Sequence, residues 1–482
     1  MFGMPKMGSV ADLRRMAGEC GAGPARRFKR SSSVLFLALC LAGSFDCAYG
    51  RDYEIRNVTV VDGTGKPPRP HMSVNIKDER IESIVPARTG ATQATIIDGA
   101  DKFLIPGLWD MHVHLSDIDE VGIPILPTYG VTSVRDMGGD IERIKKWREK
   151  IASKQMIGPR IKFCGPMLEG SWEQKQGERT DHWAVATPEA ARETVAKLAK
   201  AGVDCIKMRS YKSPESYFAL ADESKKAGVP LVGHAPWGVE ALRASDAGQR
   251  SFEHGFYPWP WADLPDEQKH AIEDKFRING TTLVPTLIAW QTFLLPEAVI
   301  DSVVHDVEGK SDPRLRQVSP ALRKNWTSGE ADVKKMVGGD QALPGWNKAM
   351  NAMYDQIRDM HERGVAVMAG TDTGTTLVYP GAALHQELKL LVAKCHFTPS
   401  DALLTATIMP AKFFKMEDQL GTVEAGKLAD LVLLGQDPLA DIGNLRLIEG
   451  VMLNGQWLDR QMLSDISKRT ESKIHDAYSE KH

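Results

Sequence analysis

Eight short apolar runs recur through the middle of the chain, each parted from the next by a longer stretch, and this alternation restricts the fold more than any other feature. The runs are 103–109, 131–135, 160–164, 204–208, 231–234, 249–253, 282–286 and 366–369. Short runs carried by apolar and β-branched residues are what buried strands look like. The stretches between them are amphipathic and carry helix punctuation. In 188–200, for example, Thr187 is placed to cap the N-terminus, Pro188 takes the first helical position and Gly202 closes the end. Eight strand–helix units over about 300 residues match the count and size of an α/β (β/α)8 TIM barrel. A doubly wound open sheet is the competing arrangement. One connection departs from the pattern: 290–348, rich in Pro, Gly and Trp, lies between the seventh and eighth runs. A long insertion on that side reads as a lid.

The two ends of the chain have a different texture. Runs 55–61, 73–76 and 80–85 are β-branched and separated by Gly and Asp, and similar runs return at 428–434 and 448–455. Both ends are therefore expected to build one small β-sandwich, from 51–103 with 418–465, around a barrel at 104–417, leaving 466–482 as a tail.

Residues 1–50 are set apart from the fold. Arg26, Arg27, Lys29 and Arg30 precede an apolar run at 34–43 and then Ala48-Tyr49-Gly50, the order of a secretory signal. The expectation is a periplasmic or secreted protein, with no integral membrane segment in the mature chain. A net charge of -3 over 482 residues offers no basic surface for nucleic acid or anionic membrane. The expected partner is a small-molecule substrate, and a homo-oligomer is compatible with the composition. Beyond Cys20, Cys40 and Cys47, the body holds Cys164, Cys205 and Cys395, widely spaced and without a CxxC pair, so neither a disulfide framework nor a cysteine metal site is expected.

Chemistry concentrates where the apolar runs end. His112 and His114 are two apart, and a strand turns residues two apart to the same side. Lys207, His234, His254 and Asp372 close later runs. Each has a plainer reading: a buried histidine with one partner, an aspartate organising a turn, a lysine snorkelling to water. In a barrel, however, the C-terminal ends of all strands share one rim, and the six residues would meet there. Imidazoles with carboxylates make an N/O site suited to Zn or a similar divalent ion.

In this arrangement the chain resembles the amidohydrolase superfamily from 53 to 458. The residues that carry the resemblance are Pro106-Gly-Leu-Trp-Asp-Met-His112-Val-His114, Lys207, Gly233-His234-Ala235, Glu253-His254-Gly255, Gly370-Thr371-Asp372 and the late segment 421–434. A lysine at the fourth run is similar to the binuclear subtype. The resemblance implies two divalent metal ions, with Zn foremost, and CO2 held as a carbamate on Lys207. It assigns His112, His114 and Asp372 to one ion, His234 and His254 to the other, and Lys207 to both. It also implies hydrolysis of an amide C–N bond by a hydroxide bridging the metals, with Asp372 as the catalytic proton carrier. The layout is similar to Xaa-Pro dipeptidases and ochratoxin-type amidases. Urea, carbamate or lactone hydrolysis is the alternative chemistry, and a metal-loaded barrel without turnover is the non-enzymatic one. Two segments depart from that layout: Cys164-Gly-Pro-Met-Leu-Glu-Gly-Ser-Trp172 stands where a His-Gly-rich loop is usual, and Met409 where Asn is. Arg209 and Tyr211 share the parity of Lys207 and are the expected substrate-binding pair, a planar fork and a hydroxyl for a substrate carboxylate.

Overall fold

The computed structural model describes residues 52–170, 180–210, 213–236, 238–255, 261 and 263–479. Its centre is an α/β arrangement of parallel strands with helical connections. Leu108–Val113, Val131–Asp136 and Arg160–Phe163 form one parallel sheet, and six strands form another in the order His182–Ala184, Met167–Glu169, Ile206–Ser210, Leu231–Gly233, Gln249–Glu253, Thr282–Val284. Every residue of Leu108–Val113 and of Val131–Asp136 is buried, the polar Asp110, His112, Arg135 and Asp136 included. Backbone hydrogen bonds cross between the sheets on both sides. Asp204 N donates to Phe163 O at 2.8 Å; Leu283 N donates to Ala366 O and Met111 N to Ala369 O, each at 2.9 Å. The segment expected as an eighth strand, 366–369, makes one isolated bridge, Val367 with Leu283, and a second bridge, Thr373 with Val113, lies just beyond it, in place of a regular ladder.

The connecting helices follow their punctuation. Thr187 caps Pro188–Ala201 by accepting from Ala190 N at 3.2 Å, and Gly202 ends it at φ 75°. Ser213 does the same for Pro214–Ala227, which stops at Gly228. The run at 103–109 is two strands. Phe103–Pro106 belongs to the sheet of the chain ends and Leu108–Val113 to the parallel core. Gly107 is the pivot: a Cβ there would lie 2.1 Å from Thr132 Oγ1. The end sheet runs Gln456–Asp459, Ile448–Leu453, Leu431–Leu434, Phe103–Pro106, Tyr53–Val60, Arg69–Lys77, Arg80–Pro86, so N- and C-terminal segments interleave around an apolar core including Ile55, Val58, Leu104, Leu431 and Met452.

Two sequence expectations change, the tail and the absence of a disulfide framework, and the insertion takes on a definite form. The segment read as a tail is the helix Arg460–Ser479, which buries Leu463, Ile466, Thr470 and Ile474 along one stripe. The 290–348 insertion is largely helical, with Glu297–Val304, Pro320–Val337 and the start of Leu343–Glu362, and packs Ile300, Val304, Leu315, Leu322 and Trp326 together with Leu377 and Tyr379. The C-terminal helix braces it: Arg323 Nε donates to Tyr478 Oη at 3.0 Å and Gln317 Nε2 to Glu471 Oε1 at 3.0 Å. Finally, Cys164 and Cys205 form a disulfide across 41 residues of sequence. No spacing rule reveals this pair, because two neighbouring strands bring it together. No helix among the described residues is long and apolar enough to cross a membrane.

Candidate functional site

At the C-terminal ends of the parallel strands, His112, His254 and Asp372 bring one ligand atom each to within 4.8 Å of one another. His112 Nε2 lies 3.3 Å and His114 Nε2 3.1 Å from the same oxygen, Asp372 Oδ1. His234 joins through His254, their rings 4.8 Å apart. Lys207 stands among them, 1% exposed, and its amine has no hydrogen-bond partner among the described residues. All six residues read as metal-binding candidates from the sequence therefore fall in one neighbourhood. The three-membered group is the tightest part of it.

The backbone is bent to achieve this. His254 and Asp372 have φ of 65° and 58°, a region that non-glycine residues seldom enter and that costs about 1–3 kcal/mol each. Asp372 N donates to His112 O at 2.7 Å and His254 N to Val284 O at 2.8 Å, so neighbouring strand ends hold both bends. Gly233, just before His234, is needed for contact: a Cβ would sit 1.9 Å from Met208 O.

Burial sets the charge states. It presses Lys207 down to about 8 and His254 down to about 4, and it holds His112 and His234 well below the usual imidazole range. Burial works against ionisation of Asp372, but the histidines around it outweigh that and keep it a carboxylate.

Several residues of the site carry no spacing signal. Asp110 accepts from His112 N at 3.2 Å and Thr371 N at 3.0 Å, tying the first strand to the Asp372 turn, and burial pushes it up to about 7. Thr286 Oγ1 sits 2.7 Å from His254 Nδ1. Glu253, beneath the rim, places Oε2 2.9 Å from His112 Nδ1 and is itself held by Arg135. From the insertion, Asn325 Nδ2 donates to Gly374 O at 2.7 Å, so this helix rests on the turn that carries Asp372. Arg209 is half-exposed and pairs with Glu169 at 2.6 Å. Tyr211 lies outside the described residues.

Against known proteins, the chain matches the amidohydrolase family over residues 103–458. It belongs to the amidohydrolase family. Members are hydrolytic enzymes that act on C–N bonds and generally use metal ions, and this chain falls in that class. Ochratoxinase from Aspergillus niger is 22% identical over 447 residues, spanning 80% of this chain and 81% of that protein. Among solved structures, a Bifidobacterium longum protein described as a prolidase superposes with a TM-score of 0.68 at 26% identity, covering 88% of this chain and 99% of that one. A Xaa-Pro dipeptidase with bound methionine superposes at 0.65 with 22% identity, covering 85% and 100%. Imidazolonepropionase from Symbiobacterium thermophilum is 38% identical over 110 residues, and the match spans only 26% of that enzyme and 22% of this chain.

Proposed function

We propose that this amidohydrolase is an exported amidase with two divalent cations, Zn foremost, at the rim of a (β/α)8 barrel. In this reading the two parallel sheets and segment 366–373 make up one ring. The interleaved chain ends make up its β-sandwich, with boundaries at 51–103, 104–417 and 418–465. The observation that carries the proposal is the amine of Lys207, buried and unpaired among His112, His234, His254 and Asp372. An ammonium there would repel any cation the histidines hold, and it has no lone pair to offer. A neutral amine can add CO2 and release a proton, giving a carbamate with two ligand oxygens. The donor set fits: imidazoles and carboxylates without thiolate suit Zn and related ions.

His112, His114 and Asp372 would hold one ion, His234 and His254 the other, and Lys207 both. Cations bound there polarise a carbonyl and activate water near neutral pH. Asp372 accepts the proton of the attacking water and delivers it to the leaving nitrogen as the C–N bond breaks. The test is Lys207→Ala, expected to lose at least one equivalent of metal and most turnover, with Lys207→Glu recovering part of both. Two metals and full turnover in Lys207→Ala would end this reading.

For the substrate, we favour an N-acyl amino acid or an Xaa-Pro-like dipeptide, with its carboxylate taken by Arg209. The fork of Arg209 is half-exposed and aimed by Glu169. Arg209→Ala should lower kcat/KM about tenfold for a carboxylate substrate, near 1.5 kcal/mol for a charged hydrogen bond, and leave its neutral amide unaffected. Equal losses on both would withdraw the carboxylate preference. Export is supported by the buried Cys164–Cys205 disulfide, since such bonds persist in oxidising compartments, together with the signal-like order of residues 26–50. Fractionation of cells expressing the full chain tests it.

A further inference from the structure

We propose that Glu253 is a positioning residue: it fixes His112 in the tautomer that turns the lone pair of Nε2 toward the cations. The inference rests on the metal-site reading above. The two ring nitrogens of His112 face two carboxylates, with Glu253 Oε2 at 2.9 Å from Nδ1 and Asp372 Oδ1 at 3.3 Å from Nε2. A neutral imidazole has one N–H and one lone pair, so only one side can be a hydrogen bond. The shorter contact, on the fully buried side, belongs to Glu253. Nδ1 then carries the hydrogen, and Nε2 presents its lone pair to an oxygen that is also an acceptor. Two acceptors facing each other are stable only with a cation between or beside them.

Glu253 is equipped for this role. Arg135 Nη2 lies 2.8 Å from both of its oxygens, and Arg135 Nη1 donates to Ser251 Oγ at 3.1 Å. Arg135 Nε donates to Met111 O at 2.7 Å, the residue preceding His112, so one guanidinium ties the strand of His112 to that of Glu253 and His254. The guanidinium carbon is 5.5 Å from the Phe413 ring centroid, which closes the space beneath it. Arg135, Glu253 and His112 are each at most 1% exposed. In so enclosed a place the carboxylate has no water to turn to, and its orientation is set by the fork.

A purely structural ion pair would predict something different when Glu253 becomes Gln. Arg135 Nη2 is equidistant from both oxygens, but Ser251 Oγ, which accepts from Arg135 Nη1, donates to Oε1 and so holds the amide oxygen there, leaving the amide NH2 to face His112 Nδ1. Nδ1 must then accept, and the hydrogen moves to Nε2, where it blocks the metal. The experiment uses the full chain stripped of metal, labelled with 15N-histidine and titrated with Co2+. In the wild type the His112 resonance, assigned by its loss in His112→Ala, should report Nδ1–H. In Glu253→Gln it should report Nε2–H, and Co2+ should bind about 10- to 100-fold more weakly. Should Glu253→Gln not fold because Arg135 is left charged and unpaired, the double variant Arg135→Met/Glu253→Leu removes both charges. In that protein His112 should populate both tautomers and bind Co2+ more weakly than wild type. A folded Glu253→Gln that keeps Nδ1–H and wild-type Co2+ affinity, while His112→Ala loses Co2+, overturns the role of Glu253 alone. If His112→Ala also keeps its Co2+, the metal-site reading falls with it.

Discussion

Two buried clusters among the parallel strands are built on opposite principles. One, the polar cluster, holds His112, Lys207, Arg135 and Glu253. The other, the apolar cluster, holds Met137, Cys164, Cys205 and Val232, and Phe413 packs against it. The same chain segments supply both: Arg135 and Met137 are two apart on one, and Cys205 and Lys207 on another. Burying several ionisable groups together costs stability unless each finds a partner, and the amine of Lys207 has none among the described residues. The apolar cluster has no such burden, and its disulfide joins the segment of Lys207 to that of Cys164. The fold thus concentrates its unfavourable electrostatics in one cluster and its rigidity in the other.

The largest effect should come from the polar cluster and the Asp372 beside it. Asp372→Asn cannot carry a proton, so kcat should fall about 10²- to 10⁴-fold while metal content drops less than in His112→Ala. An unchanged kcat would take Asp372 out of the chemistry and make it another buried partner of the histidines. The apolar cluster should answer in stability alone. Cys164→Ala with Cys205→Ala should cost about 2–4 kcal/mol in denaturant unfolding and leave metal content intact. If metal is lost as well, the two clusters are coupled and the apolar one shapes the site. The smallest effect concerns a buried carboxylate outside both clusters. Glu387 accepts from Leu287 N at 3.0 Å and Ile288 N at 2.8 Å, and burial raises it from 4.5 to about 8. A raised carboxylate is protonated in the fold, so its contribution to stability is complete below about 4.5 and is lost as pH rises through about 8. Glu387→Gln should therefore melt close to wild type at pH near 5 and a few degrees above it at pH near 9. Parallel melting curves at both pH values would mean that Glu387 stays ionised, and that burial alone does not separate functional from structural carboxylates here.

How much of this was legible in the sequence depended on the range of the interaction. The strand runs, the helix caps at Thr187 and the parity of His112 with His114 are local, and local rules reach them. The meeting of His234, His254 and Asp372 was legible only through the expectation that parallel strands end on one rim. Glu253 was overlooked because a carboxylate beside a histidine looks like an ordinary neighbour until Arg135, 118 residues away, is seen to grip it. The pairing of Cys164 with Cys205 and the bracing of the insertion by Arg460–Ser479 were hidden for the same reason. The insertion was read as a lid without assigned elements, because the apolar residues that organise its helices, Ile300, Leu322 and Trp326, pack on Leu377 and Tyr379 beyond it.

By itself the sequence determined the alternation of strands and helices, the β-rich ends and the residue types gathered for chemistry, since periodicity and punctuation are written within a few neighbouring positions. Tertiary structure decided which nitrogen of His112 faces which carboxylate, that Lys207 is left without a partner among the described residues, and where Arg209 is held. Those outcomes depend on distances between strands far apart in the chain, and no local pattern encodes such a distance.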